Sequence, residues 1–255
     1  MLIRRALFQM SPRGPTETAE YPNINIHNAR IGFDILGVEA GTFTPAEFRA
    51  GHVPLARDTI VVGGVVTVLS ALQRLGVPLP EIIDYPECLW PLLHREVRLG
   101  TLQEVRRRYA EGPQEPWFIK PVDHKVFDGH LVGRFGDLGE TAGMAPQTEI
   151  WISSVVKFET EYRYFVRNHR VVGVGHYRGD PLLTPDPNVV RSAVETYAPE
   201  APAAYVLDFG VLSTGETALV EVNDGFAFGC YGLHPREHAR MLEARWVQLT
   251  GLDKE

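Results

Sequence analysis

The segment that spans residues 204–225 restricts the fold and the chemistry of this chain more than any other part of the sequence. It begins with an apolar run at residues 205–211 that contains one acid, Asp208. Burying a carboxylate is costly unless it is paired or bound to a metal. A short turn sequence then leads into a second apolar run, which contains Glu221 and Asn223. The pattern predicts a β-hairpin that carries polar side chains on a largely apolar sheet.

Glu221 and Asn223 are two residues apart on the predicted second strand, so their side chains point to the same face. If the two strands pair, Asp208 reaches that face as well. Two carboxylates and an amide oxygen are hard oxygen ligands that suit Mg²⁺, which would also take phosphate oxygens and waters. The same alternation is typical of any half-buried hairpin with polar residues facing water, so spacing alone leaves both interpretations open.

The second half of the chain is predicted to be rich in antiparallel hairpins, with helices added late, which is an α+β signature. Strands are predicted at residues 117–120, 130–135, 149–153, 161–167, 170–177, 205–211 and 217–223. Asn168 and His169 predict a tight turn between two of these strands. Helices are predicted to begin at a capping box formed by Thr101 and Glu104, after Asp186, and at Pro235, with Gly251 ending the last one.

The first part of the chain predicts a small α/β lobe. Strands are expected at Arg5–Gln9 and residues 58–62, and a capping box at residues 44–47 begins a short helix. Gly63 and Gly64 follow the second strand and precede a helical pattern at residues 65–75. This arrangement is similar to a Rossmann-type phosphate turn. Close packing of the helix on the strand explains the glycine pair equally well, because the full G-x-G-x-x-G pattern is absent.

Composition excludes several classes of protein. The formal net charge of −7 over 255 residues gives no general footprint for nucleic acid or an acidic membrane surface. No run approaches the roughly 18 apolar residues of a membrane span, and the two cysteines, Cys88 and Cys230, are expected to be free thiols. G-x-S-x-G, H-E-x-x-H and Walker A patterns are absent. We therefore expect a cytoplasmic enzyme that binds neither nucleic acid nor membrane.

An acid in a hydrophobic strand, a hairpin, and then Glu-x-Asn on the return strand resembles the metal-binding end of the ATP-grasp superfamily. The resemblance implies ATP and Mg²⁺ as cofactors, with Asp208, Glu221 and Asn223 as metal ligands. The order of elements is similar over residues 98–251. It implies an α+β ATP-grasp fold, with a reduced, Rossmann-like pre-ATP-grasp lobe at residues 1–97 and a nucleotide- and metal-binding region at residues 98–255.

The same resemblance implies roles for residues upstream of the hairpin. Lys120 resembles the strand lysine that contacts the nucleotide phosphates in that superfamily. Ile152, Ser153 and Ser154 resemble its hinge strand, which pairs with adenine through main-chain groups. Glu161 would accept hydrogen bonds from the ribose hydroxyls.

A small clade of the superfamily, named for one arginine and two lysines, is the most similar branch. Arg163, Lys120 and Lys125 resemble those three residues, and the clade is similar to enzymes predicted to ligate amino acids or peptides. The resemblance implies that Lys125 and Arg163 act on the phosphates and on the transferred phosphoryl group. His176, between a glycine and a tyrosine on a predicted inner strand, either orients the substrate, acts as an acid or base, or is a hydrogen-bonded core histidine.

These features predict an ATP-dependent carboxylate–amine ligase that forms an amide or peptide bond through an acylphosphate. A phosphotransferase and a non-catalytic nucleotide-binding module are the alternatives, and a nicotinamide enzyme is suggested only by Gly63 and Gly64. The substrates are expected to be small molecules or peptides, and a homodimer is the commonest state for such chains. His234 and His238 are four residues apart, a zinc-compatible spacing, but without a third ligand a capping or solvated role is favoured.

Overall fold

Three β-sheets organise the chain in the computed structural model, which describes residues 2–11, 21–123 and 126–254. The strands are β1 (Arg5–Gln9), β2 (Glu39–Phe43), β3 (Thr59–Val62), β4 (Val97–Thr101), β5 (Trp117–Pro121), β6 (His130–Val132), β7 (Glu149–Ser154), β8 (Phe158–Arg167), β9 (Arg170–Gly179), β10 (Ala204–Leu212) and β11 (Thr217–Asp224). The α-helices are α1 (Ile24–Ile35), α2 (Pro45–Arg49), α3 (Val65–Arg74), α4 (Leu102–Ala110), α5 (Pro187–Tyr197) and α6 (Pro235–Thr250). Mostly antiparallel strands with separate helices confirm the predicted α+β class. Within the described ranges, no helix has the length and apolar character to cross a bilayer.

The first sheet is parallel, with strand order β2-β1-β3, and forms a small α/β lobe with helices between its strands. β3 is buried along its length and leads through Gly63 and Gly64 into α3. The side-chain oxygen of Gln9 accepts hydrogen bonds from the Gly64 N–H (3.2 Å) and the Thr67 hydroxyl (2.8 Å). A Cβ on Gly63 would lie 2.5 Å from that oxygen. A side chain at position 63 would therefore displace the Gln9 side chain from its hydrogen bonds to Gly64 and Thr67.

Two elements of the lobe, α1 and β2, were not predicted. α1 begins at Asn23, whose side chain accepts a hydrogen bond from the Ile26 N–H (3.1 Å). β2 contains Glu39 and Gly41, which are residue types depleted in strands. Its parallel pairing with β1 makes it a strand, and such long-range pairing leaves little trace in local sequence. The short helix predicted after Thr44 is confirmed as α2, with its complete capping box.

The second sheet is antiparallel, with strand order β4-β7-β5-β6. Helix α4 covers one face with apolar side chains that pack on Ile119, Ile150 and Ile152. The Thr101 hydroxyl accepts the Glu104 N–H (3.3 Å), but the Glu104 carboxylate binds Arg98 (3.1 Å). The described contacts therefore show only half of the predicted capping box. β4, which occupies one edge of this sheet, was not predicted from the sequence.

The third sheet is antiparallel, with strand order β11-β10-β8-β9. β10 is buried over its whole length, and its pairing with β11 is irregular between Asp208 and Phe209. Asn168 and His169 have φ values of 47° and 61°, which confirms the tight turn between β8 and β9. The hairpin at residues 204–225 is likewise confirmed. Helices α5 and α6 begin at their predicted prolines, and α6 ends at Gly251, which has φ 68°.

One hydrophobic cluster joins the lobe to the third sheet. It includes Phe8 of β1, Val206 of β10 and Trp246 of α6. Helix α1 approaches α6 so closely that a Cβ on Gly32 would lie 2.0 Å from a carbonyl oxygen of α6. The predicted boundary between residues 97 and 98 falls within β4, and the shared core joins elements from both sides of it.

Candidate active site

Arg163 and Asp208 form a buried ion pair on adjacent strands of the third sheet. They lie opposite each other in the β8–β10 register, and Arg163 donates through Nε (2.7 Å) and Nη2 (2.6 Å) to the two carboxylate oxygens. Asp208 is only 1% exposed. Burial raises the pKa of Asp208 to about 6, although the Arg163 guanidinium opposes the shift. The bidentate contact fixes both side chains.

Glu221 lies opposite Asp208 in the β10–β11 register, and Asn223 follows it on the same face. The Asn223 Nδ2 donates to Glu221 Oε1 at 2.9 Å, which leaves the Asn223 carbonyl oxygen available. Burial disfavours the Glu221 carboxylate, but the Lys120 ammonium and the Asn223 hydrogen bond outweigh it and lower its pKa. The structure thus brings the three predicted metal ligands together.

The donor set on this face fits Mg²⁺. It offers two carboxylates and an amide oxygen, and each Asp208 oxygen keeps a second lone pair while it accepts from Arg163. No group of three or more His, Cys, Asp or Glu side chains that could hold a metal ion occurs in the described ranges. A bound Mg²⁺ would therefore also draw on Asn223 and on oxygens from a nucleotide or from water.

Lys120 lies near the end of β5 and contacts this face from the second sheet. Its ammonium donates to Glu221 Oε2 (2.8 Å) and to Asp84 Oδ1 (2.7 Å). Burial disfavours the ammonium, but the Glu221 and Asp84 carboxylates outweigh it and raise the pKa of Lys120. Lys120 therefore stays charged, and it links the proposed metal ligands to the second sheet.

Asp84 was not predicted as a site residue. It lies between the lobe and β4, is 8% exposed, and its second carboxylate oxygen accepts a hydrogen bond from Trp151 Nε1 (2.8 Å). Burial raises the pKa of Asp84, although Lys120 opposes the shift. The sequence signal was present, because Asp84 follows two isoleucines and precedes a tyrosine. An acid in a short apolar run, like Asp208 in its strand, indicates a buried carboxylate that is paired or bound to a metal.

A cleft of about 530 Å³ is lined by the charged groups of Asp84, Lys120, Arg163 and Glu221, and all three sheets border it. Asp208 is not among the described residues that line the cleft. Gly63 and Gly64 of the lobe, Lys120 of the second sheet, and Arg163 and Glu221 of the third sheet line it. The last residue of β5, Pro121, and residues 122–123 and 127–129 of the segment that follows it add to the cleft wall. Lys125, predicted as a nucleotide-binding and catalytic residue, lies outside the described residues.

Two other predicted site residues, Glu161 and His176, have partners outside the cleft lining, and their proposed roles stay predictions. Glu161 is 5% exposed and accepts hydrogen bonds from the Tyr177 hydroxyl and from Arg178, both at 2.9 Å. His176 pairs with Tyr162 in the strand register, with the ring centroids 4.8 Å apart, whereas Arg163 pairs with a glycine. Because side chains alternate along a strand, His176 faces away from Arg163. Neither Glu161 nor His176 is among the described residues that line the cleft.

Ile152, Ser153 and Ser154 lie in β7, between β4 and β5, and are not among the described cleft-lining residues. Ile152 packs in the α4 core. The Ser154 N–H donates to the Glu96 carbonyl, and its hydroxyl accepts from the Glu96 N–H, both at 3.0 Å. Pairing on both sides of β7 uses main-chain groups of this segment, and its contact with adenine stays a prediction. One of these pairings is with β4, a strand that was not predicted from the sequence.

Tyr177 and Tyr231 were not predicted and lie beside Arg163. Their rings stack with centroids 5.0 Å apart, and the Arg163 guanidinium carbon lies 5.0 Å from the Tyr231 ring centroid. Tyr231 has φ 33°, an uncommon value for a residue with a side chain. A Cβ on Gly175 would lie 2.2 Å from the Tyr231 carbonyl oxygen. Glycine at position 175 thus permits the loop that carries Tyr231 to approach β9.

The histidine pair on α6 has structural roles. His234 is the N-cap, and its ring accepts a hydrogen bond from the Arg236 N–H (3.3 Å), as favoured from the sequence. His238 is 2% exposed and hydrogen-bonds Asn28 Nδ2 (3.1 Å). Burial lowers the pKa of His238 to about 4, so the ring is neutral at physiological pH.

Comparison with family models identifies the class of protein to which this fold and site belong. Residues 92–241, more than half of the chain, match the model of an ATP-grasp domain, namely that of family 2 in the clade named for one arginine and two lysines. The chain therefore belongs to the ATP-grasp superfamily, in family 2 of that clade. This confirms the predicted superfamily and clade. No curated protein matches the chain.

Solved structures show the same fold at low sequence identity. D-cycloserine synthetase DcsG is 11% identical, with a TM-score of 0.62, and the match covers 96% of this chain and 99% of that one. A D-alanine–D-alanine ligase from Bacillus anthracis, complexed with ATP, is 14% identical, with a TM-score of 0.55 and coverage of 98% and 99%. The macrocyclase MdnC from Microcystis aeruginosa, bound with its precursor peptide MdnA, is 12% identical, with a TM-score of 0.51 and coverage of 96% and 98%. The fold thus extends over nearly the whole chain.

Proposed function

We propose that the protein is an ATP-dependent, ADP-forming ligase that joins a carboxylate to an amine. The observation that carries the proposal is the cleft in which Arg163, Lys120, and the Glu221–Asn223 pair converge. The cleft holds oxygen ligands suited to Mg²⁺ and two fixed cations suited to phosphates. It also extends to the lobe at Gly63 and Gly64, which leaves room beside the charged groups for a second reactant.

In the proposed reaction, an oxygen of the substrate carboxylate attacks the γ-phosphorus of ATP, and ADP leaves. The amine nitrogen then attacks the acyl carbon of the acylphosphate, phosphate leaves, and the nitrogen loses a proton. Lys120 neutralises phosphate oxygens, and Arg163 orients the transferred phosphoryl group by charge-assisted hydrogen bonds. Asp208, Glu221 and Asn223 would hold Mg²⁺, which supplies charge neutralisation at the phosphates when bound.

The substrate class is proposed from two sources. The similar solved structures are those of a D-alanine–D-alanine ligase, a D-cycloserine synthetase and a macrocyclase bound with a precursor peptide. The cleft wall contributed by the lobe is uncharged, with Asn23, Asn25, Ile26 and the two glycines. We therefore propose an amino acid or a peptide end as the carboxylate substrate.

Product analysis tests this function. The protein is incubated with ATP, Mg²⁺ and pooled amino acids and short peptides, and products are identified by mass spectrometry. The proposal predicts ADP, phosphate and a product that joins two substrates with loss of water. AMP and pyrophosphate would exclude the acylphosphate route, and a substrate that gains phosphate as the final product would indicate a phosphotransferase.

A non-catalytic nucleotide-binding module is the second candidate. It is favoured by the paired state of the cations, because Arg163 and Lys120 are both neutralised by carboxylates of the protein. Binding of Mg²⁺ and ATP with no product from any substrate pool would support this candidate.

A further inference from the structure

Asp84 reaches the cleft from a segment outside the sheets that carry the other charged residues. It is 8% exposed and has φ 34°, which is uncommon for a residue with a side chain. Its carbonyl oxygen accepts a hydrogen bond from the Val222 N–H (2.8 Å), which fixes the segment along β11. A buried acid held in a strained backbone conformation at a cleft wall calls for a functional explanation.

Each oxygen of the Asp84 carboxylate has its own donor. Lys120 Nζ donates to Oδ1 at 2.7 Å, and Trp151 Nε1 donates to Oδ2 at 2.8 Å. Lys120 and Trp151 lie opposite each other in the β5–β7 register, so two adjacent strands direct donors at one carboxylate. The Tyr85 ring contacts both donors, with its centroid 5.1 Å from Lys120 Nζ and 5.0 Å from the Trp151 ring. These contacts leave the carboxylate little freedom to move.

The Lys120 ammonium is shared between two carboxylates that differ in their other partners. Glu221 also hydrogen-bonds Asn223 and belongs to the proposed metal-binding face, whereas the other partner of Asp84 is an indole. An ammonium on a Glu221 oxygen repels a cation at the same place. If Glu221 binds a metal, the Lys120 ammonium loses Glu221 as a hydrogen-bond acceptor. Asp84 is then its remaining carboxylate partner.

We propose that Asp84 is a positioning residue that holds the Lys120 ammonium beside the phosphate-binding part of the cleft and so leaves Glu221 to the metal. The inference rests on the proposed function, because it takes Lys120 as a phosphate ligand and Glu221 as a metal ligand. Without the Asp84 charge, Lys120 pairs with Glu221 alone and competes with Mg²⁺ for it. Loss of the Asp84 charge is therefore expected to raise the Mg²⁺ concentration that nucleotide binding requires.

The test is the Mg²⁺ dependence of binding of a non-hydrolysable ATP analogue, measured by calorimetry. Asp84→Asn keeps the side-chain size and an oxygen for Trp151 but removes the charge. The Mg²⁺ concentration for half-maximal binding is expected to rise about tenfold, which corresponds to about 1.4 kcal/mol. Glu237→Gln is the matched control, because it breaks an ion pair with Arg167 (2.8 Å) outside the described cleft lining. It is expected to leave the Mg²⁺ requirement unchanged.

A double-mutant cycle shows whether Asp84 acts through Lys120. In a Lys120→Met background there is no ammonium to compete for Glu221, so Asp84→Asn is expected to change the Mg²⁺ requirement less than about twofold. An equal effect in both backgrounds would overturn the inference. Asp84→Glu keeps the charge but displaces it, so the Mg²⁺ requirement is expected to rise only about threefold.

The outcomes separate this inference from the function on which it rests. If Asp84→Asn does not fold, Asp84→Ser, which also removes the charge, decides, and an unchanged Mg²⁺ requirement in that variant would contradict the role of Asp84. Wild-type protein that fails to bind the analogue with Mg²⁺ would contradict the proposed function itself. Normal wild-type binding with an unaltered Mg²⁺ requirement in both Asp84 variants would overturn only the positioning role.

Discussion

Arg163 and Asp208 are almost sealed from solvent, with side-chain exposures of 10% and 2%. Removal of one partner leaves the other charge buried without compensation. Asp208→Asn is therefore expected to lower the free energy of unfolding by about 3–5 kcal/mol, measured by urea denaturation. Glu159→Gln breaks an exposed ion pair with Lys157 and should cost less than about 1 kcal/mol. Similar losses in the two variants would contradict the account of this pair.

His238 gives a residue-scale prediction about pH. Its folded-state pKa, about 4, lies below the usual value near 6.5, so the unfolded chain binds the proton more readily. The contribution to stability is present above pH of about 6.5 and is lost as the pH falls toward about 4, by roughly 2–3 kcal/mol. Urea denaturation between pH 7.5 and pH 4.5 should show this loss in the wild type. His238→Gln, which does not titrate, should show a shallower dependence, and identical slopes would contradict the prediction.

At the scale of elements, the loop at residues 229–232 depends on its approach to β9. Gly175→Ala places a Cβ against the Tyr231 carbonyl, so the loop must shift and Tyr231 must leave its position over Arg163. We expect a loss of about 1–3 kcal/mol in stability and a larger loss of ATP-dependent turnover. Gly139→Ala is the control, since nothing lies within 4 Å of its Cβ position. Turnover that falls equally in both variants would contradict this role of the loop.

Elements with local signals were predictable from the sequence, and those made by distant pairing were not. The β10–β11 hairpin combines apolar alternation with a short turn, so its position followed from the sequence. β4 contains an arginine and a glycine, lies at a sheet edge, and becomes a strand by pairing with β7 some 50 residues later. The same pairing occupies main-chain groups near Ser153 and Ser154 that were expected to be open, and the predicted adenine contact of these residues remains untested.

At the scale of the whole molecule, the core shared by the lobe and the third sheet predicts cooperative unfolding. Phe8, Val206 and Trp246 belong to one cluster, so separation of the lobe would expose apolar surface on both sides. Urea transitions followed by tryptophan fluorescence and by far-ultraviolet circular dichroism should coincide. Two separated transitions would show that residues 1–97 unfold independently.

The candidate site was partly predictable for a related reason. Asp208, Glu221 and Asn223 lie in one hairpin, and local alternation places them on one face. Asp84 and Lys120 are 36 residues apart, and Lys120 and Glu221 are 101 apart. Contacts over such separations depend on how the sheets pack. The sharing of the Lys120 ammonium by Asp84 and Glu221 could therefore not be predicted from the sequence.

The central claim is that the face with Glu221 and Asn223 binds Mg²⁺ together with ATP. Calorimetric titration of a non-hydrolysable ATP analogue, with and without Mg²⁺, tests it in the wild type, Glu221→Gln and Glu216→Gln. Glu216 lies in the turn of the same hairpin with an exposed side chain. We predict Mg²⁺-dependent binding in the wild type and in Glu216→Gln, and its loss in Glu221→Gln. Equal Mg²⁺-dependent binding by all three proteins, or no binding by the wild type, would contradict the account.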